Sequence, residues 1–357
     1  MTMNGSTDRP LEGVKVLDLT HYVAGPYCTR LLLDYGASVL KIERPRGDPV
    51  RNWPPFVDGK AGRESLLHLY LNHDKETLTL DLKSDEGRER ALELVRDSDV
   101  VVENFRPTTM EHLGLGWDVL HALNPRLVMT SISNFGQHGP HSGYKAWDII
   151  ADAMGGLAYI HGYADREPLT HGNPQPQYRA GVVAASATLA ALLNLDDEGE
   201  HVDISIVEVV AAALRDTITQ YTFMGAIRHR AGRVGGGQGA ITPCSDGYVI
   251  PTMFGSADFP SFARFMDAPE LDDERFATGD GRQRHALELS KLLRERLKSW
   301  TMVDYFEGAQ TWGMGAGMVM SPDTVLECEQ HQMRAFFQEL ETADGLTLLA
   351  PRGPFAL

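Results

Sequence analysis

Strand patterns alternate with helix patterns over the first third of the chain, and this alternation constrains the fold more than any other feature. Residues 14–20 (VKVLDLT) have β-branched and other apolar residues at positions 14, 16, 17 and 19, as expected of a buried strand. A helix pattern follows at 24–37, with Gly25-Pro26 as its start signal. Further strand and helix patterns occupy 38–45, 77–105 and 119–136. The alternation predicts a parallel sheet covered by helices on both faces.

The residues directly after the predicted strands are candidates for a binding site, because ligands of parallel sheets bind beyond the carboxyl ends of the strands. These residues are 21–26, Arg44, 104–107 and 134–140. Lys41, Arg44, Arg46 and Arg51 gather near one strand end. They are suited to holding phosphate groups, and an exposed run of charges explains them equally well.

The composition of the sequence changes after residue 225. Residues 228–240 (RHRAGRVGGGQGA) are basic and rich in glycine, which is typical of a connection. Short strand and helix patterns beyond them indicate a smaller α/β domain. We therefore predict a large parallel-sheet domain, a small domain and a C-terminal segment that returns to the large domain, at 1–225, 226–335 and 336–357.

Charge and composition exclude several classes of function. The 357 residues carry a net charge of −16, from 33 basic and 49 acidic residues, which argues against a nucleic-acid partner. The three cysteines lie far apart without metal-ligand spacing, which indicates a reduced, cytoplasmic protein without a metal site. The N-terminus lacks an apolar signal core, and the longest apolar run, 180–193, is shorter than the roughly 20 residues of a membrane span. We expect no membrane association.

Two further features each have two interpretations. The glycines at 235–239 (GGGQG) fit a plain linker or a lid over a site, and they lack the Gly-Lys-Ser/Thr of a phosphate-binding loop. Asp148 and Asp152 are four residues apart and would share one face of a helix. A solvated helix face is the ordinary explanation for these two acids, and a catalytic carboxylate is the alternative.

Six segments together resemble the class III CoA-transferase family, which includes formyl-CoA transferase, carnitine CoA-transferase and α-methylacyl-CoA racemase. The first is LEGVKVLDLTHYVAGPYCTRLLLDYGASVLKIERPRGDPVR, at residues 11–51. The others, in chain order, are TLTLDLKSDEGRERALELVRDSDVVVENFRP, LGLGWDVLHALNPRLVMTSISNFGQHGP, CSDGYVIPTMF, PELDDERFAT and QTWGMGAGMVMSPDTVL. The resemblance covers nearly the whole chain.

The resemblance implies a fold, a reaction and a set of binding residues. The fold is a large Rossmann-like domain that binds CoA plus a smaller α/β domain, with two chains interlocked as a dimer. The substrates are an acyl-CoA and a carboxylic acid, and CoA moves between them through a mixed anhydride on an active-site aspartate. The residues that match the CoA-binding pattern are Arg44, Leu80, Lys83, Asn104, Phe105, Lys145, Gly235, Gly236 and Gly237. His112 stands where formyl-CoA transferase has an arginine.

Gln177 occupies the position of the nucleophilic aspartate of this family. A carboxylate can attack a thioester and later leave from an anhydride, whereas a neutral amide does neither well. The two proton carriers of the racemase fall on Trp147 and Gln177, and neither exchanges protons at neutral pH.

The lost aspartate leaves three hypotheses. The chain is the subunit of a heteromeric CoA-transferase that pairs with a related, aspartate-containing chain. Alternatively, a homodimer is active through another carboxylate, with Asp148 as first choice, or by direct acyl transfer. The third hypothesis is a repurposed binding protein or an enzyme of another activity.

The resemblance leaves the acyl group and the end of the chain open. Phe135, Tyr144 and Trp147 would suit a bulky or aromatic acyl group, and core packing explains them equally well. Family members commonly continue into a C-terminal segment beyond the position of Leu357, so we expect a short member or different packing between chains.

Overall fold

The computed structural model describes residues 9–60, 62–194, 198–230, 240–255, 258–342 and 345–355. The chain divides into two units of unequal size. The larger comprises residues 1–161, 169–228 and 335–357, and the smaller comprises residues 162–168 and 229–334. The domain boundaries inferred from the sequence refer to segments that fold independently. They remain a prediction.

A six-stranded parallel sheet forms the centre of the larger unit, with strand order β3-β2-β1-β4-β5-β6. Its strands are β1 (Lys15–Asp18), β2 (Ser38–Glu43), β3 (Glu76–Thr79), β4 (Val100–Glu103), β5 (Val128–Ser133) and β6 (His201–Ser205). In the central strands, Val16 lies opposite both Val39 and Val100. The predicted α/β class with a parallel sheet is confirmed, and the interlocked dimer remains a prediction.

Helices of the larger unit cover both faces of the sheet. They are α1 (Ala24–Asp34), α2 (Leu66–Asn72), α3 (Asp85–Arg96), α4 (Thr109–His112), α5 (Trp117–Leu123), α6 (Asp148–Met154), α7 (Leu157–Ile160), α8 (Gln175–Leu193), α9 (Ile206–Ala212) and α10 (Arg215–Met224). Short 3-10 turns occupy Pro49–Asn52 and Val57–Gly59. Val16, Val100 and Val128 pack with α1, α8 and α9 on one face, and Leu17, Val101 and Met129 pack with α3 and α5 on the other.

The local sequence explains why the helices begin where they do. The side chain of Ser84 accepts a hydrogen bond from the Gly87 amide at 3.0 Å and so caps the first turn of α3. The small residues of α8 let it lie close to α1, since a Cβ at Gly181 would come within 2.7 Å of the Ala24 carbonyl oxygen. This approach brings the first turns of α1 and α8 together at the carboxyl edge of the sheet.

An antiparallel hairpin near the C-terminus packs against α2. Its strands are β10 (Phe337–Glu341) and β11 (Thr347–Pro351). Leu340 and Ala350 form a small core with Leu69 of α2. Tyr35 stacks on Phe355 with ring centroids 3.7 Å apart. These contacts hold the end of the described chain on the larger unit.

The smaller unit has an antiparallel sheet and its own core. Its strands β7 (Thr242–Pro243), β8 (Tyr248–Gly255) and β9 (Met314–Met318) pair in that order. Its helices are α11 (Phe259–Phe265), α12 (Gly279–Arg284), α13 (Ala286–Leu297), α14 (Met302–Thr311), α15 (Pro322–Glu327) and α16 (Glu329–Met333), with 3-10 turns at Pro269–Leu271 and Glu274–Phe276. Phe262, Phe276, Leu293 and Tyr305 are among its fully enclosed side chains.

The structure also describes the state of the cysteines and the apolarity of the helices. All three cysteines are free thiols, and burial raises the pKa of Cys28 to about 12, as expected of an inert packing residue. In the described part of the chain, none of the helices has the length and apolarity that crossing a bilayer requires.

Candidate active site

A cavity of about 360 Å³ lies at the carboxyl ends of β1, β4 and β5. The segments that follow these three strands form its wall, together with the loop before α6 and the first turn of α8. The lining residues are Tyr22, Ala24, Asn104, Phe105, Arg106, Pro107, Ile132, Ser133, Asn134, Ser142, Tyr144, Lys145, Ala146, Trp147, Gln177 and Ile206. The cavity therefore lies at the edge where the sequence predicts a binding site.

Asn104, at the end of β4, fixes the loop after β1. Its side-chain oxygen accepts from the backbone N–H of His21 at 2.8 Å, and its Nδ2 donates to the His21 carbonyl at 2.6 Å. The ring of Phe105 meets the imidazole of His21 edge-on, with centroids 5.3 Å apart. Asn104 lines the cavity, but its amide is already paired at both ends with the backbone of a neighbouring loop.

Two buried charges hold the adjacent residues of the same loop. Lys41 Nζ donates to the Thr20 carbonyl at 2.7 Å, and the Tyr22 N–H donates to Asp48 at 3.3 Å. Tyr22 has a left-handed backbone with φ of 65°, which is strained for a residue with a side chain. The ring of Tyr22 packs edge-on against Trp147 at 5.9 Å and so joins two walls of the cavity.

A cluster of fully buried charges lies behind this loop. The carboxylate of Asp18 accepts from Lys75 Nζ at 3.0 Å and from the Thr29 hydroxyl at 2.6 Å. Burial alone would raise the pKa of Asp18, but Lys41, Lys75 and two hydroxyls outweigh burial and hold it well below its usual range. Burial lowers the pKa of Lys75 to about 8 although Asp18 opposes the shift. We call Asp18, Lys41, Asp48 and Lys75 the buried charge cluster.

Glu103 ends β4 directly before the cavity wall and is only 3% exposed. Its Oε2 accepts from the backbone N–H of Phe105 at 2.7 Å. Burial raises the pKa of Glu103 to about 7, although its hydrogen bonds from Ser131 and Phe105 act in the opposite direction. A carboxyl group that titrates near neutral pH thus supports the turn that carries Phe105.

Gln177 lies in the first turn of α8 and contacts a carboxylate outside the cavity wall. Its Nε2 donates to Asp148 Oδ2 at 2.9 Å. Asp148 is the first residue of α6, and its other oxygen, Oδ1, is buried without a hydrogen-bond partner among the described residues. Burial raises the pKa of Asp148, and the hydrogen bonds from Gln177 partly oppose this shift. The amide and the acid form a pair in which Gln177 lines the cavity and Asp148 does not.

Within the described chain, the residues that line the cavity include no aspartate or glutamate. Two cations line it instead, Arg106 and Lys145. Arg106 donates to the Gly143 carbonyl at 3.0 Å, which anchors the loop before α6. The cavity therefore suits an anionic ligand better than a cationic one.

The structure brings some of the residues assigned by the resemblance into the cavity and leaves others outside it. Asn104, Phe105, Lys145 and Gln177 line it. Arg44, Leu80 and Lys83 follow β2 and β3 farther along the same edge, where the Leu80 N–H donates to the Glu43 carbonyl at 2.9 Å. Gly235, Gly236 and Gly237 lie outside the described residues. The binding roles of all these residues remain predictions.

One expectation about the acids of α6 is wrong. A solvated face would expose Asp148 and Asp152, yet Asp152 is 2% exposed and accepts from the His171 N–H at 3.3 Å. The helix turns this residue toward the loop that leads into α8.

Of the three aromatic residues considered for the acyl group, Tyr144 and Trp147 line the cavity, whereas Phe135 is absent from its wall.

Ser133 is one of five lining residues that the sequence analysis missed, together with Ile132, Ser142, Ala146 and Ile206. It is the last residue of β5 and is 6% exposed, and its hydroxyl has no hydrogen-bond partner among the described residues. The predicted binding segment began one residue later, at Asn134. The signal that identifies Ser133 is a hydroxyl at the very end of an otherwise buried strand.

In the described residues, no cluster of three His, Cys, Asp or Glu side chains could hold a metal ion.

Comparisons with known proteins agree on one family. The family model for CoA-transferase family III matches residues 11–357. The succinate–glutarate CoA-transferase of Agrobacterium fabrum is 32% identical over 98% of this chain and 89% of its own length. The succinyl-CoA–D-citramalate CoA-transferase of Chloroflexus aurantiacus is 38% identical over 89% of this chain and 80% of its own length.

A solved structure has the same fold. The crystal structure of a CAIB/BAIF family protein from Brucella suis superposes with a TM-score of 0.84 at 29% sequence identity. The match covers 98% of this chain and 96% of that protein.

Proposed function

The chain belongs to CoA-transferase family III, a family of acyl-CoA:carboxylate CoA-transferases, and from this premise we propose that it binds acyl-CoA without supplying the nucleophile. One observation carries the proposal. Gln177, which the resemblance aligns with the family's aspartate, lines the cavity, and no carboxylate is among its described lining residues. The nucleophile comes from a related, aspartate-containing chain with which this chain forms a heteromeric CoA-transferase.

The chemistry of the amide supports this assignment. A carboxylate oxygen attacks the thioester carbonyl carbon, the carbon–sulfur bond breaks, and the CoA thiolate leaves. An amide is a weaker nucleophile and has no negative charge to transfer. The Nε2 of Gln177 also donates to Asp148, which fixes the orientation of the amide. Gln177 is thus suited to hydrogen bonding with a ligand and unsuited to forming an anhydride.

The surface of the larger unit supports close association with a second chain. None of the residues of α10 is buried, and Phe223 and Met224 are 87% and 74% exposed. Leu193, at the end of α8, is 90% exposed. Large apolar side chains exposed to this extent are typical of surfaces that another chain covers. The interlocked arrangement and the identity of the partner chain, a second copy or a related subunit, are part of the proposal.

Reconstitution tests the heteromeric role. The chain alone is assayed for CoA transfer from succinyl-CoA to a carboxylate acceptor, and the related aspartate-containing chain is then added. We expect activity only from the mixture, and none when the partner carries asparagine in place of its aspartate. Full activity of the lone chain would contradict the proposal.

The acyl group is proposed to carry a second carboxylate. The two relatives compared above are named for succinate, glutarate and citramalate, all of which are dicarboxylic acids. Arg106 and Lys145 supply positive charge at the cavity, and no acidic residue among the described lining residues opposes it. We expect the protein to bind the CoA thioester of a dicarboxylic acid more tightly than an aromatic acyl-CoA of similar size, as measured by competition for CoA binding.

A second candidate function rests on the pair of Gln177 and Asp148. Asp148 lies 2.9 Å from the Gln177 amide and has one unpartnered oxygen, so a shift of the Gln177 side chain would open it to the cavity. In this case the homomeric enzyme would form its anhydride on Asp148. Hydroxylamine trapping followed by peptide mapping identifies such an adduct, and full activity of Asp148→Asn excludes it.

Exchange of the amide and the acid gives a sharper test of both candidates. Gln177→Asp alone sets two carboxylates side by side, which raises their pKa values and weakens the nucleophile. The double variant Gln177→Asp with Asp148→Asn restores an amide–acid pair with the acid toward the cavity. We expect the double variant, and not the single one, to give the lone chain measurable transfer or thioester hydrolysis. If both variants bind CoA and neither reacts, the cavity does not place the acyl group beside Gln177.

A further inference from the structure

We infer that the hydroxyl of Ser133 is a substrate-binding group that donates a hydrogen bond to an oxygen of the acyl group. This inference rests on the proposed function, since it requires a thioester in the cavity. No family resemblance assigns a role to Ser133. The observation behind it is a buried hydroxyl that has no hydrogen-bond partner among the described residues and belongs to a residue that lines the cavity.

The burial of Ser133 makes the missing partner informative. The residue is 6% exposed, and its Oγ makes no hydrogen bond within the described structure. An unsatisfied buried hydroxyl costs free energy, and buried polar groups in folded proteins are nearly always paired. Since Ser133 lines the cavity, a bound molecule supplies the partner.

The neighbours of Ser133 hold it in place. Asn134 donates from Nδ2 to the Ala146 carbonyl at 3.2 Å, and its own carbonyl accepts from the Val207 N–H at 3.0 Å. These two bonds join the end of β5 to the loop before α6 and to the start of α9. A hydroxyl on such a fixed backbone loses little freedom when it binds a ligand, which favours a recognition role.

The chemistry of the wall specifies the acceptor. The described lining residues contain no carboxylate, and Arg106 and Lys145 are cationic. In a cavity whose wall also carries two cations, a hydroxyl donates best to an oxygen with partial or full negative charge. The acyl group offers two such oxygens, the thioester carbonyl and, in a dicarboxylic acyl group, the terminal carboxylate.

Ser131 provides a matched control on the same strand. Its hydroxyl is paired with His201 Nε2 at 2.9 Å and is absent from the cavity wall. Replacing Ser131 by alanine removes the same chemical group two residues away from a side chain outside the cavity wall. The hydrogen bond from Ser131 to Glu103 is lost, but the bond from the Phe105 N–H to Glu103 that supports the cavity wall stays. Ser133→Cys is a second variant, which keeps the side-chain size and supplies only a weak donor.

Calorimetry with three ligands tests the inference. The ligands are free CoA, butyryl-CoA and succinyl-CoA, and the proteins are wild type, Ser133→Ala, Ser133→Cys and Ser131→Ala. We expect Ser133→Ala to weaken acyl-CoA binding by about fivefold to tenfold, as for one lost hydrogen bond, and to leave free CoA unchanged. Ser133→Cys should show most of this loss, and Ser131→Ala should stay within about twofold of wild type.

The pattern of loss identifies the oxygen. Equal losses for butyryl-CoA and succinyl-CoA assign the thioester carbonyl, and a loss confined to succinyl-CoA assigns the terminal carboxylate. Unchanged binding of both acyl-CoAs overturns the inference and leaves a water molecule as the partner of the hydroxyl. An equal loss for free CoA also overturns it. If the wild type binds no CoA, the proposed function fails together with it.

Discussion

The buried charge cluster and the cavity lie at the same edge of one sheet, yet they treat polar groups in opposite ways. In the cluster, Asp18 is met by Lys75 and by hydroxyls, and Lys41 lies 3.3 Å from Asp48. In the cavity, the Ser133 hydroxyl has no partner in the described structure. Burial of a polar residue therefore does not identify a binding site by itself. Ser133 differs from the cluster because its residue lines a cavity that a ligand can enter.

Free energy explains the difference. An unpaired buried charge is far more costly than an unpaired hydroxyl, so a stable fold must complete its charges internally. A buried hydroxyl or amide can lack a hydrogen-bond partner at a smaller cost in free energy, which a hydrogen bond to a ligand later offsets. The cluster accordingly stabilises the loop of His21 and Tyr22, and the Ser133 hydroxyl is left for the ligand that we propose. The predictions below test this contrast, in order of decreasing effect.

Lys75→Ala should cause the largest loss of stability. The change leaves Asp18 as a fully buried charge without its main partner, and removing one member of a buried pair costs about 3–5 kcal/mol. Urea unfolding at pH 7 measures the loss. The control is Glu93→Ala, which breaks the exposed pair of Arg90 and Glu93 and should cost about 0–1 kcal/mol. Similar losses for the two variants would contradict the distinction between the cluster and the surface.

Glu103→Gln should change how stability depends on pH. The folded-state pKa of Glu103 is raised from 4.5 to about 7, so the folded protein binds a proton that the unfolded chain releases. The contribution of Glu103 to stability is therefore full below pH 4.5 and declines as pH rises through 7. Relative to Glu103→Gln, wild type should lose about 2 kcal/mol of unfolding free energy between pH 5 and 7.5. A constant difference across this range would show that Glu103 does not titrate there.

Ser133→Ala should have the smallest effect on stability in the absence of ligand. The hydroxyl makes no hydrogen bond in the described structure, so its removal should change the unfolding free energy by less than about 0.5 kcal/mol or increase it slightly. Urea unfolding without CoA measures the change. A loss above about 2 kcal/mol would mean that Ser133 has a structural partner and belongs with the cluster.

The sequence predicted the sheet because each strand carries its own local signal. Strands β4 and β5 are buried throughout and β1 is buried from Val16 onward, as expected of central strands, and Ser84 caps the first turn of α3. The edge that carries the cavity followed from the parallel arrangement alone. The solvent exposure of Asp152 was wrongly inferred, because helical spacing shows which residues share a face and not what that face meets.

The amino-acid sequence by itself determined the family, the alternation of strands and helices along the first part of the chain and the presence of glutamine at position 177. Only the tertiary structure decided that the amide of Gln177 meets Asp148 and that Asn104 is paired with the backbone of His21. It also decided that the Ser133 hydroxyl has no partner among the described residues. The reason is physical. Composition and periodicity report how each residue prefers to fold locally, whereas a hydrogen bond joins two atoms whose separation depends on how distant segments pack.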